Sequence, residues 1–204
     1  MKTPKLSKRP IAKPGFTLIE LLVVIAIIMV LAGVGFQAGN FAINKAKKTK
    51  ALAVCVEMEQ AVQRFYDDNG TLPVEIAADT TFDSNSAEGL DMILVLMDQE
   101  TTDPVLNAKG IKYLNVKQGK GGETSGTDGL IYNSTGDTVL ALFDPWGGDY
   151  KISLDGDFDE TISVQPKAAA SARNLQRRVA CWSDGADGVD DGVTGSTKDD
   201  VTTW

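Results

Sequence analysis

Histidine is absent from the 204 residues. That single absence removes Ser-His-Asp and Cys-His catalysis, His-ligated zinc and the histidine pH switch together. Cysteine is nearly absent. Cys55 and Cys181 are the only two, and they form no C-x-x-C pair, so a thioredoxin-like redox centre is excluded. No G-x-x-x-x-G-K-[ST] run is available to cradle a nucleotide phosphate. Positive charge is scarce: 20 Lys and Arg stand against 28 Asp and Glu, for a net charge of −8 and a pI near 4.6. Such a chain is badly suited to nucleic acid. What remains is a globular balance, 43% apolar and 24% charged, over a length that suits one ordinary domain with something attached.

The scarce positive charge is concentrated at the start. Lys2, Lys5, Lys8, Arg9 and Lys13 give residues 1–15 a charge of +5 with no acid, leaving −13 for the rest. A basic tip on an acidic chain reads as a targeting segment. From Phe16 to Phe36 the sequence is FTLIELLVVIAIIMVLAGVGF, 21 residues with one charge and no proline. As a helix it would measure about 31 Å, the thickness of a bilayer's hydrocarbon core. The positive charges ahead of it predict a cytoplasmic N-terminus with the remainder exported. A cleaved signal peptide is one reading, with Val30-Leu31-Ala32 as a small-residue site, but the apolar stretch exceeds the usual h-region. A plain anchor explains the length and leaves Glu20 unexplained, because a carboxylate in a spanning helix needs a partner.

Gly15-Phe16-Thr17-Leu18-Ile19-Glu20 behind a basic leader resembles the cleavage and methylation signal of type IV prepilins and type II secretion pseudopilins. The resemblance implies that a membrane prepilin peptidase and N-methyltransferase cuts between Gly15 and Phe16 and methylates the new amine. It also makes Glu20 the glutamate that meets the amine of a neighbouring subunit during assembly. The residue types suit those roles. Glycine lets a protease approach the backbone, Phe16 seeks an apolar interface, and a charge pair in an apolar bundle fixes register.

Beyond the span, Ala42, Ala46, Thr49, Ala53 and Val56, then Leu52, Cys55, Val62 and Tyr66, recur at helical steps. Lys45, Lys47, Lys48 and Lys50 read as a solvated helix face, and Asn69-Gly70 as its end. The run Phe65-Tyr66-Asp67-Asp68-Asn69-Gly70-Thr71-Leu72-Pro73 resembles the segment that closes the long helix in G-type major pseudopilins. Ser86 to Met97 resembles that family's short second helix. Residues 98–129 read as a loop or insertion. Short strands are predicted at Gly129–Tyr132, Thr138–Phe143, Tyr150–Leu154 and Thr161–Val164. Asp144-Pro145-Trp146-Gly147-Gly148-Asp149-Tyr150 resembles the family's D-P-W-G-N-P-Y turn.

The C-terminal segment 183–204 holds six aspartates and one lysine between Trp182 and the final Trp204. A solvated acidic tail is the plain reading. Calcium, with its six to eight oxygen ligands, is the other. The segment resembles the calcium loop of G-type pseudopilins, which implies Asp187 and Asp200 as side-chain ligands and Asp184 as a backbone one. Lys198 falls where that family has an aspartate, leaving Asp199, Ser196 or Thr197 to substitute. The cluster Asp155-Gly156-Asp157-Phe158-Asp159-Glu160 reads as a hairpin turn, since it lacks the spacing and distal glutamate of an EF-hand. For Cys55 and Cys181, a disulfide and two buried thiols both stay open.

These expectations combine into an α+β, type IV pilin-like chain that is not an enzyme. Residues 1–15 are a leader, 16–36 a transmembrane and assembly helix, and 37–204 a soluble domain with a small antiparallel sheet. By resemblance it is a single-pass inner-membrane protein with a periplasmic domain, assembled into a homo-oligomeric helical pseudopilus that drives protein export. The implied partners are minor pseudopilins and an inner-membrane assembly platform with its ATPase. A type IV pilin for adhesion, motility or DNA uptake is the alternative, and a membrane-anchored calcium-binding module a further one.

Overall fold

A computed structural model describes residues 15–101, 104–164, 173–189 and 199–204, without the side chains of 34–38. The leader up to residue 14 and the loop positions Ser196, Thr197 and Lys198 lie outside these. The chain divides into two units, Met1–Ile43 and Asn44–Trp204.

Helix α1 runs Leu18–Asn69 without interruption. It starts on a reciprocal cap: Glu20 Oε2 accepts from the Thr17 N–H and Oγ1, at 2.8 and 2.7 Å, while Thr17 Oγ1 accepts from the Glu20 N–H. This is the S/T-x-x-E capping box, which satisfies donors that the first turn leaves open. At the far end Gly70 takes φ 73°, its N–H donates to the Tyr66 carbonyl at 2.8 Å, and the Asn69 amide donates to Phe65 O. Glycine reaches that left-handed conformation without a Cβ penalty, so the helix stops where Asn-Gly predicts. In the first unit, every described side chain of the apolar stretch is exposed. Among the described residues, no helix is long and apolar enough to cross a membrane.

The second unit is built around the outer half of α1. Strands β1 (Thr80–Asp83), β6 (Tyr150–Leu154), β9 (Val179–Ser183) and β10 (Val201–Thr202) form one antiparallel sheet in the order β1-β6-β9-β10. Among the described residues there are also three two-stranded ladders. These are β2 (Lys120–Gly122) with β3 (Ser125–Thr127), β4 (Gly129–Tyr132) with β5 (Val139–Phe143), and β7 (Ile162–Val164) with β8 (Arg173–Leu175). Helix α2 (Ala87–Leu96) begins at Ser86, whose Oγ accepts from the Gly89 N–H at 3.0 Å. Its Met92, Ile93 and Leu96 join Cys55, Met58, Val62 and Phe65 of α1 and Ile152, Leu154 and Cys181 of the sheet in one buried core. The architecture is α+β, a long N-terminal helix with an antiparallel sheet.

Several details differ from the sequence expectation. The single small sheet is one four-stranded sheet plus three ladders. Residues 98–129 are not a plain loop: Tyr113, Leu114 and Val116 are buried and β2–β3 is a hairpin, because apolar positions hidden among Gly, Lys and Thr still find the core. The acidic turn after β6 joins strands that pair elsewhere, β6 with β1 and β9 and β7 with β8, so it is a corner and not a hairpin. On α1 the core takes Ala51, Cys55, Met58, Val62 and Phe65, while Leu52, Ala53 and Val56 face outward. Nor is the lysine face wholly solvated. Lys50 pairs with Asp128 at 2.9 Å, and Lys47 lies 5.8 Å from the Trp146 ring centre.

Candidate functional site

Three places carry the residues singled out by the sequence: the start of α1, the Asp144 turn and the C-terminal loop. At the first, Gly15 and Phe16 precede the helix and are exposed, and Phe16 is 75% accessible. Glu20 is also exposed, and its carboxylate is engaged by Thr17. The cap is a role that sequence reasoning missed. The T-x-x-E spacing was its signal.

At the second, Asp144 is almost wholly buried, so its carboxylate must be fully hydrogen-bonded. Oδ1 accepts from the N–H groups of Trp146, Gly147 and Gly148, each at 2.8 Å, and Oδ2 accepts from the Ser183 hydroxyl at 2.6 Å. Gly147 takes φ 97°, as a turn glycine must. Ser183 Oγ in turn accepts from the Gly185 N–H at 3.2 Å. The D-P-W-G turn is therefore the mount of the acidic loop. Sequence reasoning saw the turn and not the mount, because the partner serine lies 39 residues away.

The loop itself is held at both ends. Val201 pairs with Ser183 and Thr202 with Trp182 in antiparallel register, and a Cβ on Gly185 would lie 2.5 Å from the Asp199 carbonyl oxygen. Trp182 and Trp204 meet edge to face at 5.5 Å, so the two aromatics that bracket the loop in sequence touch in space. Glu59 of α1 accepts from the Cys181 N–H at 3.0 Å and from the Thr203 hydroxyl, pinning the last residues to the helix. Asp199 Oδ2 accepts from the N–H groups of Ala186 and Asp187. One oxygen each of Asp184, Asp199 and Asp200 is shielded from solvent, and Asp199 Oδ1 accepts no hydrogen bond from the described residues. Lys151 is 3.7 Å from Asp184 Oδ2 and also bonds Asp83. Burial works against its charge, but those two carboxylates outweigh it and raise the ammonium pKa.

The β9–β10 pairing thus anchors Asp184 at one end of the loop and Asp199 and Asp200 at the other, and leaves Asp187 exposed, its Oδ1 accepting from Val189 N–H. Hard carboxylate oxygens of this kind suit calcium and do not suit a soft metal. Among the described residues, the acidic side chains whose ligand oxygens lie within 4.8 Å of one another are Asp79, Asp155 and Asp157 instead. Their oxygens accept from the N–H groups of Gly156, Ser163, Asp159 and Glu160, so that corner is already satisfied by its own backbone. Cys55 and Cys181 are both free and fully buried. Burial and the neighbouring thiol push the Cys181 thiol well up, which makes it inert.

With that geometry in view, residues 12–36 match the prokaryotic N-terminal methylation motif. The chain is type IV pilin-like. It is 38% identical to the fimbrial protein EcpC of Eikenella corrodens over 64 residues, 31% of this chain and 42% of that one. It is 28% identical to the type IV major pilin protein PilE of Neisseria gonorrhoeae over 97 residues, 48% of this chain and 58% of that one. The chain spans about half the length of the curated relatives it matches. No solved structure matches it.

Proposed function

We propose that the chain is the structural subunit of a type II secretion pseudopilus. A prepilin peptidase cuts after Gly15, the new Phe16 amine is methylated, and residues 16–36 hold the subunit in the inner membrane until assembly. Processed copies then stack into a helical filament that drives export. The filament would form with minor pseudopilins on an inner-membrane platform whose ATPase supplies the energy. The observation that carries this reading is the run K-P-G-F-T-L-I-E ahead of an apolar stretch, which the methylation motif matches.

The secretion variant is favoured over a pilus by the Asp144 turn and the loop mounted on it. The loop is proposed to hold calcium through Asp184, Asp187, Asp199 and Asp200, with backbone carbonyls completing the set. Bound there, the ion would offset part of the charge of a segment with six aspartates and one lysine. A type IV pilin is the second reading, favoured by what the two relatives are named.

Assembly tests the proposal. Copies lacking a counter-charge for the Phe16 amine should stay in the membrane without forming filament, so Glu20→Gln is expected to cut filament yield at least tenfold. Normal filaments from that variant would remove Glu20 from the assembly step.

A further inference from the structure

The corner after β6 displays a side chain that the core does not use. Asp155 is buried, and its carboxylate accepts from the N–H groups of Asp159 at 3.2 Å and Glu160 at 2.9 Å. That clamp fixes Phe158 at φ 61°, a backbone region that bulky residues avoid, with its ring 49% exposed. Phe158, Leu106, Val74 and Ile76 line an apolar groove of about 420 Å³. Past Val74 the groove continues into a second depression of about 300 Å³, edged by Glu75 and Asp91. Both acids are exposed.

A surface of complementary character lies on α1. Lys45, Leu52 and Val56 follow one side of the helix at seven- and four-residue steps, and all three are exposed. Apolar side chains at such steps are what a helix lays into a groove, and Lys45 carries the charge opposite to the groove's edge. One chain cannot make this contact with itself. The Phe158 ring lies 6.1 Å from Tyr66, and Leu52 is fourteen residues earlier on the same helix. At about 1.5 Å per residue, that is roughly 21 Å back along the axis.

We infer that this groove receives the Lys45–Leu52–Val56 side of α1 from a second copy of the chain, with Lys45 facing the acids at its edge. The inference rests on the filament reading above and specifies a contact within it. Groove and helix side are different surfaces, so the contact is heterologous and propagates instead of closing, as a filament requires. The axial offset between the two surfaces makes each added copy step along its neighbour.

The test uses the full chain carrying Leu52→Cys and Phe158→Cys together, assembled and then treated with a mild oxidant. The expected result is a ladder of covalent multiples of the chain mass on a non-reducing gel, absent from either single variant. Cys55 and Cys181 are buried and stay out of it. Should the doubly substituted chain fail to fold, charge reversal at exposed positions decides instead. Glu75→Lys with Asp91→Lys should lower filament yield at least fivefold, and adding Lys45→Glu should restore it. Filaments that form normally with no ladder, or that ignore the charge reversal, would overturn the groove contact and leave the filament reading standing. A cross-link to a protein of another mass would overturn it in favour of another partner. An unsubstituted chain that forms no filament at all would overturn the filament reading, and this contact with it.

Discussion

Glu20 has one role in the structure and a second in the proposed assembly, and a conservative substitution separates them. Its carboxylate caps α1 through Thr17, satisfying donors that the first turn leaves open. In the proposed assembly the same carboxylate must also balance a neighbour's amine. Glutamine keeps an acceptor for the cap and loses the charge; alanine loses both. Glu20→Ala and Glu20→Gln should therefore reduce filament alike, while only Glu20→Ala frays the first turn in amide hydrogen exchange. Asp128 offers a second single-residue test. Burial opposes its charge, but hydrogen bonds from Lys117 at 2.6 Å and Lys50 at 2.9 Å outweigh that and hold its pKa below the ordinary 3.8. A depressed carboxylate adds stability that is complete above its unfolded pKa and is lost as pH falls through the folded one. Both lysines are half exposed, so solvent screens the pairs and the effect is about 1 kcal/mol or less. Asp128→Asn should lower stability by that amount at pH 7 and shrink the loss between pH 5 and pH 2, read by urea unfolding at each pH.

At the scale of elements, the close approach of α2 to β1 turns on one glycine. A Cβ at Gly89 would sit 2.0 Å from the Asp83 carbonyl, a backbone atom at the end of β1 that cannot step aside. Gly89→Ala should cost about 3 kcal/mol or more in urea unfolding of the 44–204 unit, at or beyond the upper end of ordinary overpacking. At Gly122 nothing lies within 4 Å, so Gly122→Ala should stay within about 0.5 kcal/mol. The same element shows what a sequence can tell. Helix α2 was legible because Ser86 caps it and its apolar residues keep helical spacing; β5 and β6 were legible as apolar runs between turn residues. Strand β1 was not, since TTFD is polar at three of four positions and is a strand only because it pairs with Leu154 to Lys151. On α1 the stripe read from Ala42 to Val56 and the one that packs, from Ala51 to Phe65, both keep helical spacing, and only packing distinguishes them. In the C-terminal loop the sequence supplied the aspartates, while the β9–β10 pairing that anchors the loop's two ends is a long-range contact that spacing does not announce.

For the whole molecule, the account joins a processed N-terminus, an assembling helix and a domain whose last residues an ion would order. A ligand that binds only the folded state adds RT ln(1 + [L]/Kd), about 2.7 kcal/mol at a hundredfold excess. Extracytoplasmic calcium sites commonly have Kd near 10⁻⁴–10⁻³ M, so millimolar calcium should raise the melting temperature of the 44–204 unit above its value in chelator. Asp199→Ala and Asp200→Ala should remove most of that rise, whereas Asp157→Ala at the β6–β7 corner should leave it; a melting temperature indifferent to calcium would make the loop a solvated acidic segment. The central claim is that the chain is made as a prepilin, and the mass of its mature N-terminus tests that most directly. The account predicts a chain that begins at N-methylated Phe16 and has lost the +5 leader, and a Gly15→Ala variant that retains residues 1–15. A mature start near Gly33 would mean an ordinary signal peptide, and an intact Met1 in assembled material would mean no processing; either would contradict it.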